Sequence, residues 1–264
     1  MKKLKINNTE LAYRDEGSGQ PIVFLHAFPL NQTMWNDQVA AFSSSHRVIT
    51  FDWRGFGASS LGSEPSSLAS FADDLAGLLD HLQIKSAAIC GLSMGGYAAF
   101  AFYRKYPDKV AALVLCDTRA SADTEEGKQS RHEMASLARQ QGTPPIIEAM
   151  IPRLLGETTL RTKPQTAERV KEMIRAAQPE GIAQALFGMA QRDDSTELLS
   201  KITCPTLIIV GDEDKLTPPS DAEKMHLSIA FSQLRVINHA GHLANLEEPS
   251  VFNQTVRDFL KQLS

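Results

Sequence analysis

The chain has 264 residues, of which 42% are hydrophobic and 22% charged, with a formal net charge of −4. It is too apolar for a disordered chain, and 16 glycines and 13 prolines are too few for a fibrous one. The mild acidity argues against a nucleic-acid partner, no apolar run reaches the ~20 residues of a membrane helix, and the length suffices for a sizeable core.

In chain order, Leu4-Lys5-Ile6 and Leu11-Ala12-Tyr13 alternate in polarity around Asn7-Asn8 and predict an antiparallel hairpin at a sheet edge. Lys2, Lys3 and Lys5 read as a solvated terminus, and with no apolar stretch behind them no signal peptide is expected. Near-continuous apolar runs follow at 22–25, 47–51, 86–90, 110–116 and 206–210, the texture of strands buried on both faces. Segment 67–82 places Leu68, Phe71, Leu75, Leu78 and Leu79 at helical steps, and 249–263 does so with Phe252, Val256, Phe259 and Leu260. Strand alternating with helix predicts a mostly parallel sheet covered on both sides.

Residues 120–195 break this rhythm. Helical stretches at 131–140, 145–155, 166–177 and 181–191 are separated by polar or Gly/Pro breaks. Such an insertion is too long for a simple crossover. It predicts a helical cap, residues 120–195, over the carboxyl ends of the strands of a core formed by 1–119 and 196–264. Cys90, Cys116 and Cys204 have no close-spaced pair, so they read as small buried hydrophobes in a reducing cytoplasm rather than as a disulfide framework or a zinc site. Trp35 and Trp53 read as packing residues.

The chemistry concentrates in Gly91-Leu92-Ser93-Met94-Gly95-Gly96, between a strand run and a helical stretch. Gly-x-Ser-x-Gly in that context marks a nucleophile elbow. The turn strains the serine backbone, needs glycine where side chains would clash, and aims the hydroxyl at a helix amino end that favours negative charge. Serine needs a base. His242, in Asn238-His239-Ala240-Gly241-His242 after the strand signal Val236-Ile237, is favoured over His239. His46, His81, His132 and His226 read as surface residues.

A carboxylate must fix the imidazole tautomer. Asp212, Glu213 and Asp214 compete in the loop after 206–210, with Asp117 a further candidate after 113–116. Asp214 is favoured because the turn it opens points back across the sheet. The order Ser93, Asp214, His242 is the chain order of one particular fold. A tetrahedral intermediate needs two backbone N–H donors. Met94 supplies one, and Phe28, in His26-Ala27-Phe28-Pro29, is expected to supply the other. His26 itself reads as a structural hydrogen-bonding residue.

With Asp52-Trp53-Arg54-Gly55-Phe56-Gly57-Ala58-Ser59, these segments resemble the α/β-hydrolase superfamily over essentially the whole chain. The resemblance implies an α/β-hydrolase fold: a mostly parallel eight-stranded sheet flanked by helices, with a helical cap inserted after strand 6. It also implies that Asp52 and Arg54 brace loops. Ser93-Met94-Gly95-Gly96, Leu115-Cys116-Asp117-Thr118-Arg119-Ala120 and the compact cap look most like small bacterial carboxylesterases and 3-oxoadipate enol-lactonase-like hydrolases. Ala27 departs from the family, which usually has glycine there. Ser93 argues against dehalogenase-like and epoxide-hydrolase-like branches, which carry aspartate at the elbow.

The expected activity is a serine hydrolase acting on an ester or lactone through an acyl-enzyme, with no cofactor and no metal. Carbon–carbon bond hydrolysis of the meta-cleavage type and perhydrolysis would use the same triad, and a non-catalytic ligand-binding receptor is the reading from another class. The expected partner is a small-molecule substrate, and a homodimer is compatible with the sequence. Met134, Met150, Met173, Phe187 and Met189 are placed to line a pocket or to pack the cap on the core. Arg131, Arg139, Arg153 and Arg175 leave room for a carboxylate-bearing substrate.

Overall fold

A computed structural model of the chain describes residues 1–62 and 66–263. Strands β1 (Lys2–Ile6), β2 (Thr9–Glu16), β3 (Pro21–Leu25), β4 (Arg47–Phe51), β5 (Ala87–Leu92), β6 (Val110–Cys116), β7 (Thr206–Gly211) and β8 (Ser232–Ile237) form one sheet. Its order is β1-β2-β4-β3-β5-β6-β7-β8. β2 is antiparallel to β1 and β4, and the other neighbours are parallel. The predicted hairpin is present: Ile6 pairs with Thr9 across Asn7 and Asn8, whose φ values of 43° and 59° suit the primed turn that asparagine tolerates. β5 and β7 are buried along their whole length, hence their unbroken apolar texture.

Helices α1 (Asn36–Phe42), α2 (Leu68–His81) and α3 (Met94–Lys105) lie in the first half of the chain. Between β6 and β7 come α4 (Glu125–Gln141), α5 (Pro144–Leu154), α6 (Glu157–Thr162), α7 (Pro164–Arg175), α8 (Pro179–Ala190) and the short α9 (Thr196–Leu199). α10 (Pro219–Ser228), α11 (Ala244–Glu247) and α12 (Pro249–Lys261) complete the set. α2 begins at a reciprocal Ser67–Ser70 capping box, and Pro249 occupies the first turn of α12 as its fixed φ favours.

Several elements extend beyond the sequence expectation, α4 and β8 among them. α4 starts at Glu125, upstream of 131, because Thr124 accepts the N–H of Gly127 and Glu125 and Glu126 complement the helix dipole. β8 is longer than Val236-Ile237 because an edge strand tolerates Ser232, Gln233 and Arg235 on its solvated positions. The short helices α1, α6 and α10 carried no periodic signal of their own.

The chain leaves the sheet for the helical segment and returns to it at one neck. Ser195 N–H donates to the Ala120 carbonyl at 2.8 Å, and Ala122 N–H to the Asp194 carboxylate at 2.9 Å. Beside them the buried Asp123 pairs with Arg119 at 2.8 Å, Arg192 at 2.7 Å and Arg131. Burial raises the Asp123 pKa, but the Arg192 and Arg131 guanidinium groups outweigh it and hold the carboxyl far below the usual range.

Trp35 and Trp53 are fully buried, as expected of packing residues. Trp53 stacks on Phe71 with centroids 4.6 Å apart, and Trp35 lies 4.9 Å from Phe24. Cys90 and Cys116 are buried with their sulfurs 3.9 Å apart. Among the described residues no helix is long and apolar enough to cross a membrane.

The bracing role expected of Arg54 and Asp52 is met by explicit contacts. Asp52 accepts the N–H of Gln32 and of Ala58. Arg54 grips the buried Asp74 through Nε at 2.8 Å and a terminal nitrogen at 2.7 Å. Removing one partner of such a pair strands the other charge. Arg54→Ala should therefore destabilise the protein by about 3–5 kcal/mol in urea unfolding. An Arg54→Leu/Asp74→Leu double variant should lose clearly less. A double variant as damaged as the single one would contradict this account.

Candidate active site

Ser93 stands between the end of β5 and the first residue of α3, with φ 54° and ψ −113°. A side chain rarely tolerates that backbone, and the surroundings hold it there. Its N–H donates to the Cys116 carbonyl at 3.0 Å, and its carbonyl accepts from Gly96 N–H and the Thr118 hydroxyl. The flanking glycines are sites of backbone contact. A Cβ on Gly91 would stand 2.3 Å from the Gly95 carbonyl oxygen, and one on Gly95 would stand 2.2 Å from that of Leu25.

Asp214 and His242 reach Ser93 from the loops after β7 and β8. Ser93 Oγ lies 2.8 Å from His242 Nε2, and His242 Nδ1 lies 2.8 Å from Asp214 Oδ2. An ionised carboxylate only accepts, so Nδ1 carries the ring proton and Nε2 accepts from the serine hydroxyl. Asp214 Oδ1 takes the N–H groups of Leu216 (2.8 Å) and Thr217 (3.1 Å), and Oδ2 takes the Thr217 hydroxyl at 2.7 Å. Burial raises the Asp214 pKa, but His242 and Thr217 more than offset it and leave the carboxyl below its ordinary value.

The competing candidates lie outside this chain of hydrogen bonds. His239 is exposed, at φ 63°. Asp212 is exposed and Glu213 turns away to Thr158. Asp117 is fully buried and accepts the Gly211 N–H at 2.8 Å; burial and the neighbouring Asp214 push its carboxyl well above the usual range. Phe28 borders the cavity above Ser93, and Met94 opens α3, where the first N–H groups have no partner within the helix. Ala27, in the same loop as Phe28, is fully buried.

The cavity over Ser93 and His242 measures about 230 Å³. Met134, Met150, Leu154, Leu186 and Met189 form its apolar wall, and Arg119, Arg131, Arg153 and Lys215 bring positive charge. Of the two readings that the sequence left open, Met173 and Phe187 take packing rather than lining: Met173 is buried in α7, and Phe187 packs between His132 and Arg139. Arg139 pairs with Glu180 and Arg175 with Glu168 on the outer surface. Arg119 and Lys215 escaped the reading from sequence. Their signal was position, just beyond the carboxyl ends of β6 and β7, where sites on such sheets collect. A groove of about 400 Å³ lies on the other side of Tyr97 and Arg119 and contains no part of the Ser93–His242 pair.

His26 supports the loop that carries Phe28. Its Nε2 accepts the Trp53 N–H at 3.0 Å, which leaves Nδ1 to donate to the Ala27 carbonyl at 2.9 Å. Burial pushes its pKa down to about 4 from 6.5. Between those values the unfolded chain takes up a proton that the folded one refuses, so stability falls as pH drops from 6.5 toward 4. The loss should amount to about 3 kcal/mol in urea unfolding and should be absent from the pH slope of His26→Asn. Equal slopes for both proteins would mean that His26 is charged in the native state.

A family model described as alpha/beta hydrolase fold matches residues 20–249. 3-Oxoadipate enol-lactonase 2 of Acinetobacter baylyi is 30% identical over 243 residues, covering 92% of this chain and 89% of the relative. A thermophilic esterase from Thermogutta terrifontis, solved with malate bound, matches with TM-score 0.97 at 44% identity and covers 100% of this chain and 99% of its own. The enol-lactonase from Burkholderia xenovorans matches with TM-score 0.92 at 29% identity, over 98% and 100% of the two chains. The eight-stranded sheet, the helices packed around it and these relatives agree: the chain belongs to the α/β-hydrolase fold family.

Proposed function

We propose that this protein is a serine hydrolase that opens a small carboxylic ester or lactone carrying a carboxylate group, by way of an acyl-enzyme on Ser93. The observation that carries the proposal is the relay Asp214–His242–Ser93, with both links at 2.8 Å, Ser93 and His242 lining a cavity of about 230 Å³. The esterase and enol-lactonase relatives support the same bond class.

In this reading His242 Nε2 removes the Ser93 proton as Oγ attacks the carbonyl carbon. The N–H groups of Met94 and Phe28 stabilise the oxyanion at the amino end of α3. The intermediate collapses, and the imidazolium returns the proton to the departing oxygen. A water then gives up a proton to His242 and attacks the acyl carbon, releasing the acid and restoring Ser93. Asp214 holds the imidazole tautomer and stabilises its cationic form. Residues 120–195 act as the cap that shapes the cavity. No metal or cofactor enters the scheme, and the three cysteines suit a reducing cytoplasm.

The substrate class follows from charge. Asp123 is already engaged by arginines, while Arg153 has no ion-pair partner among the described residues. A carboxylate on the substrate would balance that excess, and the malate held by the Thermogutta esterase is such an anion.

Against p-nitrophenyl esters and lactones of graded size, Ser93→Ala should lower kcat by about a thousandfold or more. Undiminished turnover would defeat the assignment, as would failure of a fluorophosphonate to label the wild-type protein at Ser93. Arg153→Ala should raise KM for a carboxylate-bearing ester by up to about fivefold, the scale of an exposed ion pair, and leave a neutral ester unchanged. Equal effects on both esters would remove the carboxylate from the proposal.

A further inference from the structure

Glu247 closes α11, five residues beyond His242, and is 1% exposed. Its side chain turns back on the loop that carries the histidine. Oε1 accepts the N–H of Gly241 at 2.9 Å and that of Leu243 at 3.1 Å, the residues on either side of His242. Oε2 accepts the N–H of Gly156, just before α6, at 2.8 Å. One buried carboxylate thus brackets the His242 backbone and joins it to the helical segment.

The same turn of α6 touches the other loop of the relay. The N–H of Thr158 donates to Glu213 at 2.8 Å, its hydroxyl also bonds Glu213, and Glu213 is the neighbour of Asp214. Gly156 and Gly241 meet backbone to backbone, since a Cβ on Gly241 would stand 2.2 Å from the Gly156 nitrogen. The loops bearing the acid and the base are therefore both fastened to residues 156–158.

We propose that Glu247 is a positioning residue: by holding the N–H groups on both sides of His242 it fixes the imidazole between Asp214 and Ser93, and through Gly156 it sets the helical segment over them. The inference rests on the role proposed for His242 and extends it. The imidazole makes 2.8 Å contacts at both nitrogens, so a shift of about 1 Å in its backbone breaks the alignment and costs on the order of a hundredfold in rate. With Gly241 and Leu243 N–H groups tied to one oxygen, that shift has no low-energy route.

Two conservative variants separate reach from charge. Glu247→Gln keeps the reach and loses the charge; its amide oxygen can still accept from Gly241 and Leu243, with only the Gly156 bond given up. Glu247→Asp keeps the charge but is one methylene too short to bracket the loop. On p-nitrophenyl acetate, Glu247→Gln should retain kcat within about threefold. Glu247→Asp should lose about tenfold to a hundredfold in kcat with KM within about twofold. The reverse order, or an unchanged kcat in Glu247→Asp, overturns the proposal. Proton NMR provides a readout independent of turnover. The low-field Nδ1 proton of His242, assigned by its loss in His242→Gln, should persist in Glu247→Gln and broaden or vanish in Glu247→Asp. An unaltered resonance in Glu247→Asp overturns the proposal even if the wild-type protein lacked Ser93-dependent turnover, a result that would itself refute only the hydrolase reading.

Discussion

The backbone of Ser93 is the constraint around which the rest of the site is arranged. A φ of 54° in a residue with a side chain costs on the order of 1–3 kcal/mol, so the surrounding packing must over-determine it. That packing is backbone against backbone. Gly91 lies against Gly95, Gly95 lies against the end of β3 at Leu25, and Cys116 at the end of β6 takes the Ser93 N–H. β5 lies between β3 and β6, so its two neighbouring strands supply the contacts. The sheet order and the strained serine are thus one requirement, and a parallel sheet with β5 inside it is what allows the Ser93 hydroxyl to stand clear at the strand ends.

Around that point, four buried carboxylates differ in what faces them, whereas at Asp74 burial prevails even against Arg54. Asp214 and Asp123 lie deep in the protein, yet each meets partners that favour its charge: a histidine and Thr217 for one, arginines for the other. Their pKa values fall despite burial. Asp117 and Glu247 are met mainly by backbone N–H groups, and for them burial prevails and the values rise. Asp214 and Asp123 hold the histidine and the neck, while Asp117 and Glu247 tie neighbouring segments together by accepting backbone N–H groups. Asp117 and Asp214 stand at the ends of adjacent strands, β6 and β7, and burial with that neighbouring charge makes the two unequal.

The sheet was legible in the sequence because strands buried on both faces leave continuous apolar runs, as in 206–210, and because Asn7-Asn8 is a turn with its own chemistry. Ser93, Asp214 and His242 were legible as a set because each lies at a fixed place relative to a strand end. The structure brings those three together and leaves His239 and Asp212 at the surface. What the sequence left open was the choice between cavity wall and packing within 120–195. Met150 and Met173 look alike in sequence, and only the packing of α5 and α7 puts one at the cavity and the other in the core. Likewise, nothing local distinguishes Arg153 from Arg139, because the difference is Glu180, contributed by another helix.

Glu247 marks where reading along the chain stops being sufficient. Its link to His242 is local, since Gly241 and Leu243 are sequence neighbours. Its link to Gly156 spans 91 positions and depends on two glycines meeting in space. Neither glycine signals this alone, since each would pass for an ordinary loop residue. The relay residues are held by strand ends, which periodicity reveals, whereas the alignment of their loops with the helical segment is held by contacts between loops, which it does not. In this fold the placement of the relay is therefore written near the strands, and its fit to the helical segment is written where Gly156, Gly241 and Glu247 converge.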